Sequence, residues 1–255
     1  MLALILGTHL LWPDRAVVSR YDVLVVGALA IQAAMLTFRL ETWGEARVIF
    51  LFHLAGTVME LFKTSHGSWL YPEDSLLRIG GVPLFSGFMY AAVGSYIARV
   101  QRIFHIRVQA YPPPWTTWIL AAAIYVNFFA HHWLPDARLV LFGATAAVFG
   151  PGWFYFTADR KRRRMPLLIG YGLVALFIWF AENLATLGRA WAYPGQEIAW
   201  HMVGVEKLGS WFLLMIISIV LVSLVHRPET ERSPAQLRRS PHPEPTSGRR
   251  APRPR

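Results

Sequence analysis

Apolar runs of about twenty residues recur along almost the whole chain, and they limit it more than any other feature. They cover positions 22–38, 47–62, 81–100, 115–133, 138–157, 165–184 and 208–225. A bilayer core about 30 Å thick is crossed by about 20 apolar helical residues. In lipid a spanning segment must satisfy its own backbone hydrogen bonds, which leaves helices for runs of this kind. The composition agrees: 55% of residues are hydrophobic and 16% charged, against about 45–50% and about 25% in soluble domains. Positions 1–12 form a shorter apolar run with no charged segment before it and no small-residue cleavage site after it, so they read as a short first helix rather than a leader. Pro151, between Gly150 and Gly152, is expected to kink its run. The fold class is therefore all-α, a polytopic transmembrane bundle of seven to eight spans occupying residues 1–226.

Residues 227–255 form a different region. They carry eight Arg, three Glu and seven Pro, too little apolar surface to offset the entropy of ordering, and are expected to be a disordered basic tail. Such a tail suits anionic headgroups or simple solvation, with no specific nucleic-acid recognition. Lys and Arg favour the cytoplasmic side. With eight alternating helices, one side collects Arg39, Arg47, the basic link at 99–107, the run at 160–164 and the tail, which is 18 of the 25 Lys and Arg. That side is expected to be the cytoplasm of a bacterial cell, in its inner or plasma membrane.

The opposite side carries an echo. Glu60, Thr64, Trp69, Tyr71 and Pro72 recur 122 positions later as Glu182, Thr186, Trp191, Tyr193 and Pro194. An offset covering four helices preserves orientation and predicts a parallel internal repeat about an axis along the membrane normal. Glu60 and Glu182 would then lie at one depth, lining a shared cavity capped by Trp69, Tyr71, Trp191 and Tyr193. Ionisable groups inside a span are costly and tend to face the bundle interior. A sheltered carboxyl can serve as a general acid, and aromatic faces can stabilise a cation beside it. The plainer alternatives are a headgroup-level Glu60 paired with Lys63, and Trp and Tyr forming an interfacial belt.

His53 precedes Glu60 by two helical turns and shares its face, as His131 does with Asn127. These three complete a candidate substrate-binding set with the loop aromatics, although Asn127 also suits interhelical hydrogen bonding. No His-Glu-x-x-His spacing occurs, so neither a metal nor another cofactor is expected. The absence of cysteine excludes thiolate chemistry and disulfides. Phosphate-cradling glycine loops and nucleophile elbows are also missing.

Glu60, Phe62, Lys63, Gly67, Ser68, Trp69, Tyr71 and Pro72, followed by Gly81–Leu84 and Ser86–Tyr90, resemble a bacterial integral-membrane family of unknown activity, domain of unknown function 817 (YoaT-like). The resemblance covers residues 1 to about 226 and implies membrane location without a reaction. Glu60, Gly67, Trp69, Tyr71 and Gly81–Pro83, with Glu182, Trp191, Tyr193 and Gly204–Glu206, are also similar to membrane carotenoid cyclases and hydratases. Their paired acidic motif is replaced here by P-L-F-S at 83–86 and V-E-K-L at 205–208. This second likeness implies acid-catalysed hydration or cyclisation of a lipid-soluble isoprenoid, with Glu60 and Glu182 as acids. The competing expectation is a non-enzymatic protein: a small-solute or proton-coupled transporter, or a structural or interaction protein. Membrane lipid is the one partner common to all of these readings; the oligomeric state is open.

Overall fold

The computed structural model describes residues 1–13, 16–224 and 229–230. Nearly all of the expected disordered tail lies outside the described residues. Among those described there are eight helices: α1 (Leu2–Leu11), α2 (Arg20–Thr37), α3 (Trp43–Ser65), α4 (Phe85–Ile103), α5 (Pro114–Ala130), α6 (Arg138–Phe149), α7 (Leu167–Leu187) and α8 (Glu206–Val222).

Local chemistry sets the boundaries. Thr42 and Glu45 close a reciprocal capping box at the start of α3, satisfying amides that the first turn leaves unpaired. Pro114 opens α5, where its missing N–H is harmless. Helix α8 is apolar nearly all round and buries Leu213, Met215, Ile216, Ile217, Ile219, Val220 and Val222. It takes the central position, packed against α3, α4, α5 and α7, as such a helix must. The peripheral helices bury one side and leave the other apolar as well. Phe50, Leu54 and Val58 on α3, and Ile169, Leu173, Phe177 and Phe180 on α7, are exposed. Apolar surface of that extent needs lipid around it.

By length and composition, α2, α3 and α7 can each cross a membrane. Helix α1 has 10 residues and α6 has 12, about 15 and 18 Å at 1.5 Å per residue. Neither crosses a 30 Å core alone, so the expected first and sixth spans are not full crossings in themselves.

The all-helical expectation needs a second correction. The run at 138–157 does not kink at Pro151; it ends. Helix α6 stops at Phe149, and β4 (Trp153–Ala158) and β5 (Lys161–Pro166) form an antiparallel hairpin. With β3 (Arg107–Gln109) and β6 (Glu229–Thr230) they make a four-stranded sheet in the order β5-β4-β3-β6. The basic run at 160–164 is thus a turn and an edge strand. The expected basic link at 99–107 divides too. Arg99 and Arg102 belong to α4 and bind Glu41 and Glu45, and Arg107 belongs to β3.

Chain direction along α2 to α8 separates two ends. The sheet and the Glu41–Glu45 segment lie at one end. At the other lie the 66–84 segment, with its small ladder of β1 (Arg78–Ile79) and β2 (Val82–Pro83), the 131–137 turn and the 188–205 segment. Arg20 fastens that second end. Its buried guanidinium binds Glu73 and donates to the carbonyl oxygens of Ile5, Gly188 and Arg189. Asp22, in the first turn of α2, accepts from the amides of Leu76 and Leu77.

Candidate functional site: two carboxylates on one cavity

Glu60 lies about a turn before the end of α3, 3% exposed. Its Oε2 accepts from Trp69 Nε1 and Tyr71 OH, both at 2.7 Å, and its Oε1 from Tyr90 OH at 2.6 Å. Tyr90 reaches it because Gly56 clears the way: a Cβ there would sit 2.6 Å from the Tyr90 ring. Glu182, equally buried on α7, accepts from Tyr193 OH on Oε1 and from Trp211 Nε1 on Oε2, the latter at 2.6 Å. In both places the phenol stands 11 residues after the carboxylate. Burial, and then the neighbouring carboxylate, push the Tyr71 and Tyr193 hydroxyls well above the usual phenol range. Both therefore remain protonated, as donors must.

The two loops also meet directly. Leu70 and Ala192, themselves 122 positions apart, form an antiparallel bridge through two reciprocal N–H···O bonds of 2.9 Å. Trp69 and Tyr193 pack edge to face beside it, with ring centroids 6.1 Å apart.

Glu60 and Glu182 line one cavity of about 460 Å³. Trp69, Trp191, Tyr193, Asn127 and His131 line it as well. Tyr71 is behind the wall, its ring edge against Tyr21 and Phe85. Trp191 differs from Trp69 in depth and in role: it is buried with Ile5 and Tyr21 in a cluster against which Trp69 is only partly buried, and it is not among the donors to Glu182. His53 is also outside the cavity lining. It shares a face with Glu60, but it sits two turns farther along and does not reach the cavity. Its ring packs on Phe88, in space that exists because residue 87 is glycine.

Asn127 bonds Asp136 and the amide of Ala137, so it holds the turn into α6 rather than a neighbouring helix. The Glu60–Lys63 pairing does not form. Lys63, 5% exposed, turns to His131 Nε2 at 3.2 Å and His132 Nε2 at 3.1 Å. The ring of His132 lies between those of His66 and His131 in contact order, touching each, and among the described residues no cluster is arranged to hold a metal ion. Sequence reasoning gave Tyr90, Trp211, Lys207 and Arg138 no role in the site. All four line the cavity, and Lys207 Nζ lies 4.3 Å from the centroid of the Tyr193 ring.

Apolar helices wrapped in outward-facing hydrophobic side chains, with buried carboxylates tied to the loops between them, define a helical integral membrane protein. The chain belongs to the family described as protein of unknown function (DUF817), whose model matches residues 1–219. The resemblance carried by residues 60–90 is therefore correct. The chain is 43% identical over 217 residues to the uncharacterized protein YoaT of Bacillus subtilis (strain 168), covering 85% of this chain and 82% of that one. Its fold is similar to that of MvINS, a mycobacterial Insig homologue from Mycobacterium vanbaalenii, with a TM-score of 0.50 at 13% identity. A cross-linked MvINS trimer gives a TM-score of 0.51 at the same identity. Each likeness covers 74% of this chain and 98% of the other; at that identity it is one of fold.

Proposed function

We propose that this is a multi-pass membrane protein whose cavity binds a lipid-soluble molecule. The cavity carries the reading. Its volume of about 460 Å³ falls within the range of about 300–1,000 Å³ typical of small-molecule sites. Its walls are mostly apolar, and a few convergent polar side chains sit at one end. It lies between helices whose outer faces are in lipid, so its ligand arrives from the bilayer.

In this reading the helices from α2 to α8 alternate direction, and the sheet end, which holds Arg102, Arg107 and the run at 160–164, faces the cytoplasm. The units α3–loop–α4 and α7–loop–α8 are a parallel tandem repeat. Three features support this: the shared 11-residue spacing from Glu to Tyr, the donor that each following helix contributes (Tyr90 and Trp211), and a bridge between corresponding residues of the two loops.

Acid catalysis on an isoprenoid fits this geometry less well. Every carboxyl oxygen of Glu60 and Glu182 already accepts at least one aromatic N–H or O–H. Protonating an alkene would require a carboxyl O–H directed into the cavity instead. The two glutamates read better as anchors that fix the loops over the cavity.

The test is to purify the full chain in a mild detergent and identify co-purifying lipids by mass spectrometry, beside a Val93→Trp variant that fills the cavity. A lipid retained at about one per chain and lost in the variant is the expected result. No lipid in either, or equal amounts in both, would overturn the reading.

A further inference from the structure

We infer that the loop end of this cavity is an anion site, and that its ligand is a single-chain amphiphile with an acidic headgroup, a carboxylate or a phosphate monoester. The inference rests on the cavity reading above and adds the chemistry of the ligand.

Seven Glu, His, Lys and Arg side chains line the cavity: Glu60, Lys63, His131, Arg138, Glu182, Glu206 and Lys207. The two buried carboxylates are engaged by aromatic donors, as described. Glu206 is exposed at the rim, and Arg138 is paired with Asp136 at 2.6 Å. The lysines differ. Lys63 has two imidazoles beside it, neither of which carries negative charge. Lys207 has the face of Tyr193, with Glu182 and Glu206 acting on it from beyond contact distance. Among the described residues neither ammonium takes part in an ion pair. A buried ammonium with no carboxylate in contact, as at Lys63, is expensive. Lys207 is also the second residue of α8, where the helix dipole disfavours a cation and favours an anion. Two lysines held against these costs at one end of a cavity mark the place of a negative group.

Depth fixes the rest of the ligand. Lys63 is two residues from the end of α3, Arg138 opens α6 and Lys207 lies in the first turn of α8, so all three stand at one end of the bundle. The cavity wall then runs inward along Val93, Ile178 and Leu214 to Tyr96, Phe177 and Val174. Tyr96 is 11 residues into α4, about 16 Å deeper at 1.5 Å per residue. Its ring stacks on that of Phe177, centroids 6.1 Å apart, and both are exposed to the surrounding lipid. A charged end at the membrane boundary and an apolar path toward its centre match the way a lipid of one leaflet already lies. Entry between α4 and α7 needs no reorientation.

The test uses the full chain in a neutral detergent, with oleate, oleyl phosphate and oleyl alcohol as probes of one chain length. Saturable binding of at least one acid, about tenfold or more tighter than the alcohol (about 1.4 kcal/mol), is expected. The tighter of the two acids identifies the headgroup. Lys63→Gln and Lys207→Gln should each weaken the acid about tenfold and leave the alcohol unchanged, while Lys63→Arg should restore most of the loss. Thermal unfolding of each variant shows whether it is folded; if Lys63→Gln is not, Lys207→Gln decides. Equal binding of all three probes would overturn the anion site but leave the cavity reading intact. No binding of any probe, with Val93→Trp indistinguishable from the parent, would remove both.

Discussion

The first carboxylate site and the second solve one problem with different parts. Glu60 takes an indole and a phenol from its own loop and a second phenol from α4. Glu182 takes its phenol from the matching loop position but its indole from α8, through Trp211. Trp191, which sits where Trp69 does in the echo, is buried beside Ile5 and Tyr21 and is not among the donors to Glu182. Each buried carboxylate must have donors, and which residue supplies the indole is free to vary. The recurring tyrosine therefore identifies a role, whereas the recurring tryptophan identifies a position.

The largest effect that could break this comparison comes from deleting the carboxylates. Glu60→Ala strands three buried donors and Glu182→Ala strands two. At about 1–3 kcal/mol for each buried group left unpaired, Glu60→Ala should destabilise by at least about 3 kcal/mol and Glu182→Ala by about 2. Thermal unfolding in detergent should rank them in that order; a reversed ranking would mean that the donor count does not govern the sites.

Next come the phenols. Tyr71→Phe and Tyr193→Phe each remove one hydrogen bond to a carboxylate and should cost about 1.5–3 kcal/mol, within about 0.5 kcal/mol of each other. A wide gap between them would sink the equivalence of the two loops. The indoles sharpen the comparison further. Trp69→Phe and Trp211→Phe should cost about the same, about 1–2 kcal/mol, and Trp191→Phe should cost less because both donors to Glu182 remain. The smallest effect belongs to the bridge. Leu70→Pro removes one N–H donor to Ala192 and should cost about 1 kcal/mol. Combined with Tyr71→Phe, it should show non-additivity, since contacting groups couple.

Much of the scaffold was legible because lipid leaves a chain few options. The apolar runs located α2, α3, α5, α7 and α8 to within a few residues. The 138–157 run misled because its apolar content suits a helix and a strand equally. What divides them is Gly150-Pro151-Gly152, and the alternation in Trp153–Ala158 packs Phe154 against Tyr171 on one face. The hairpin was hidden as well. Its turn uses Asp159 and Arg160, both at positive φ, where Asn-Gly would be the recognisable pair. Its second strand is a row of cations that carries no apolar signal. At the site, the loop residues were readable from the echo. Tyr90 and Trp211 were not, because they arrive from the next helix, 30 and 29 residues after their carboxylates, and no local spacing encodes that meeting. Lys63 was visible, and its pairing with Glu60, three residues before it, was one of the plainer alternatives. The aromatic donors already around that carboxylate, and two histidines about 70 positions away in the chain, decide otherwise.

The Arg20 clamp has a consequence for how the chain is made. Its guanidinium is 3% exposed in the finished molecule, and its partners lie 15, 53, 168 and 169 positions away. While a ribosome is still adding α3 to α7, two of those carbonyl oxygens do not exist. Arg20 must then remain in water or among headgroups, because a lone guanidinium in the hydrocarbon is too costly. The start of α2 is thus held at the membrane surface until residues 188 and 189 have been made. The amino-terminal helices are inserted early and locked late, and a chain truncated before position 188 should fail to dock them.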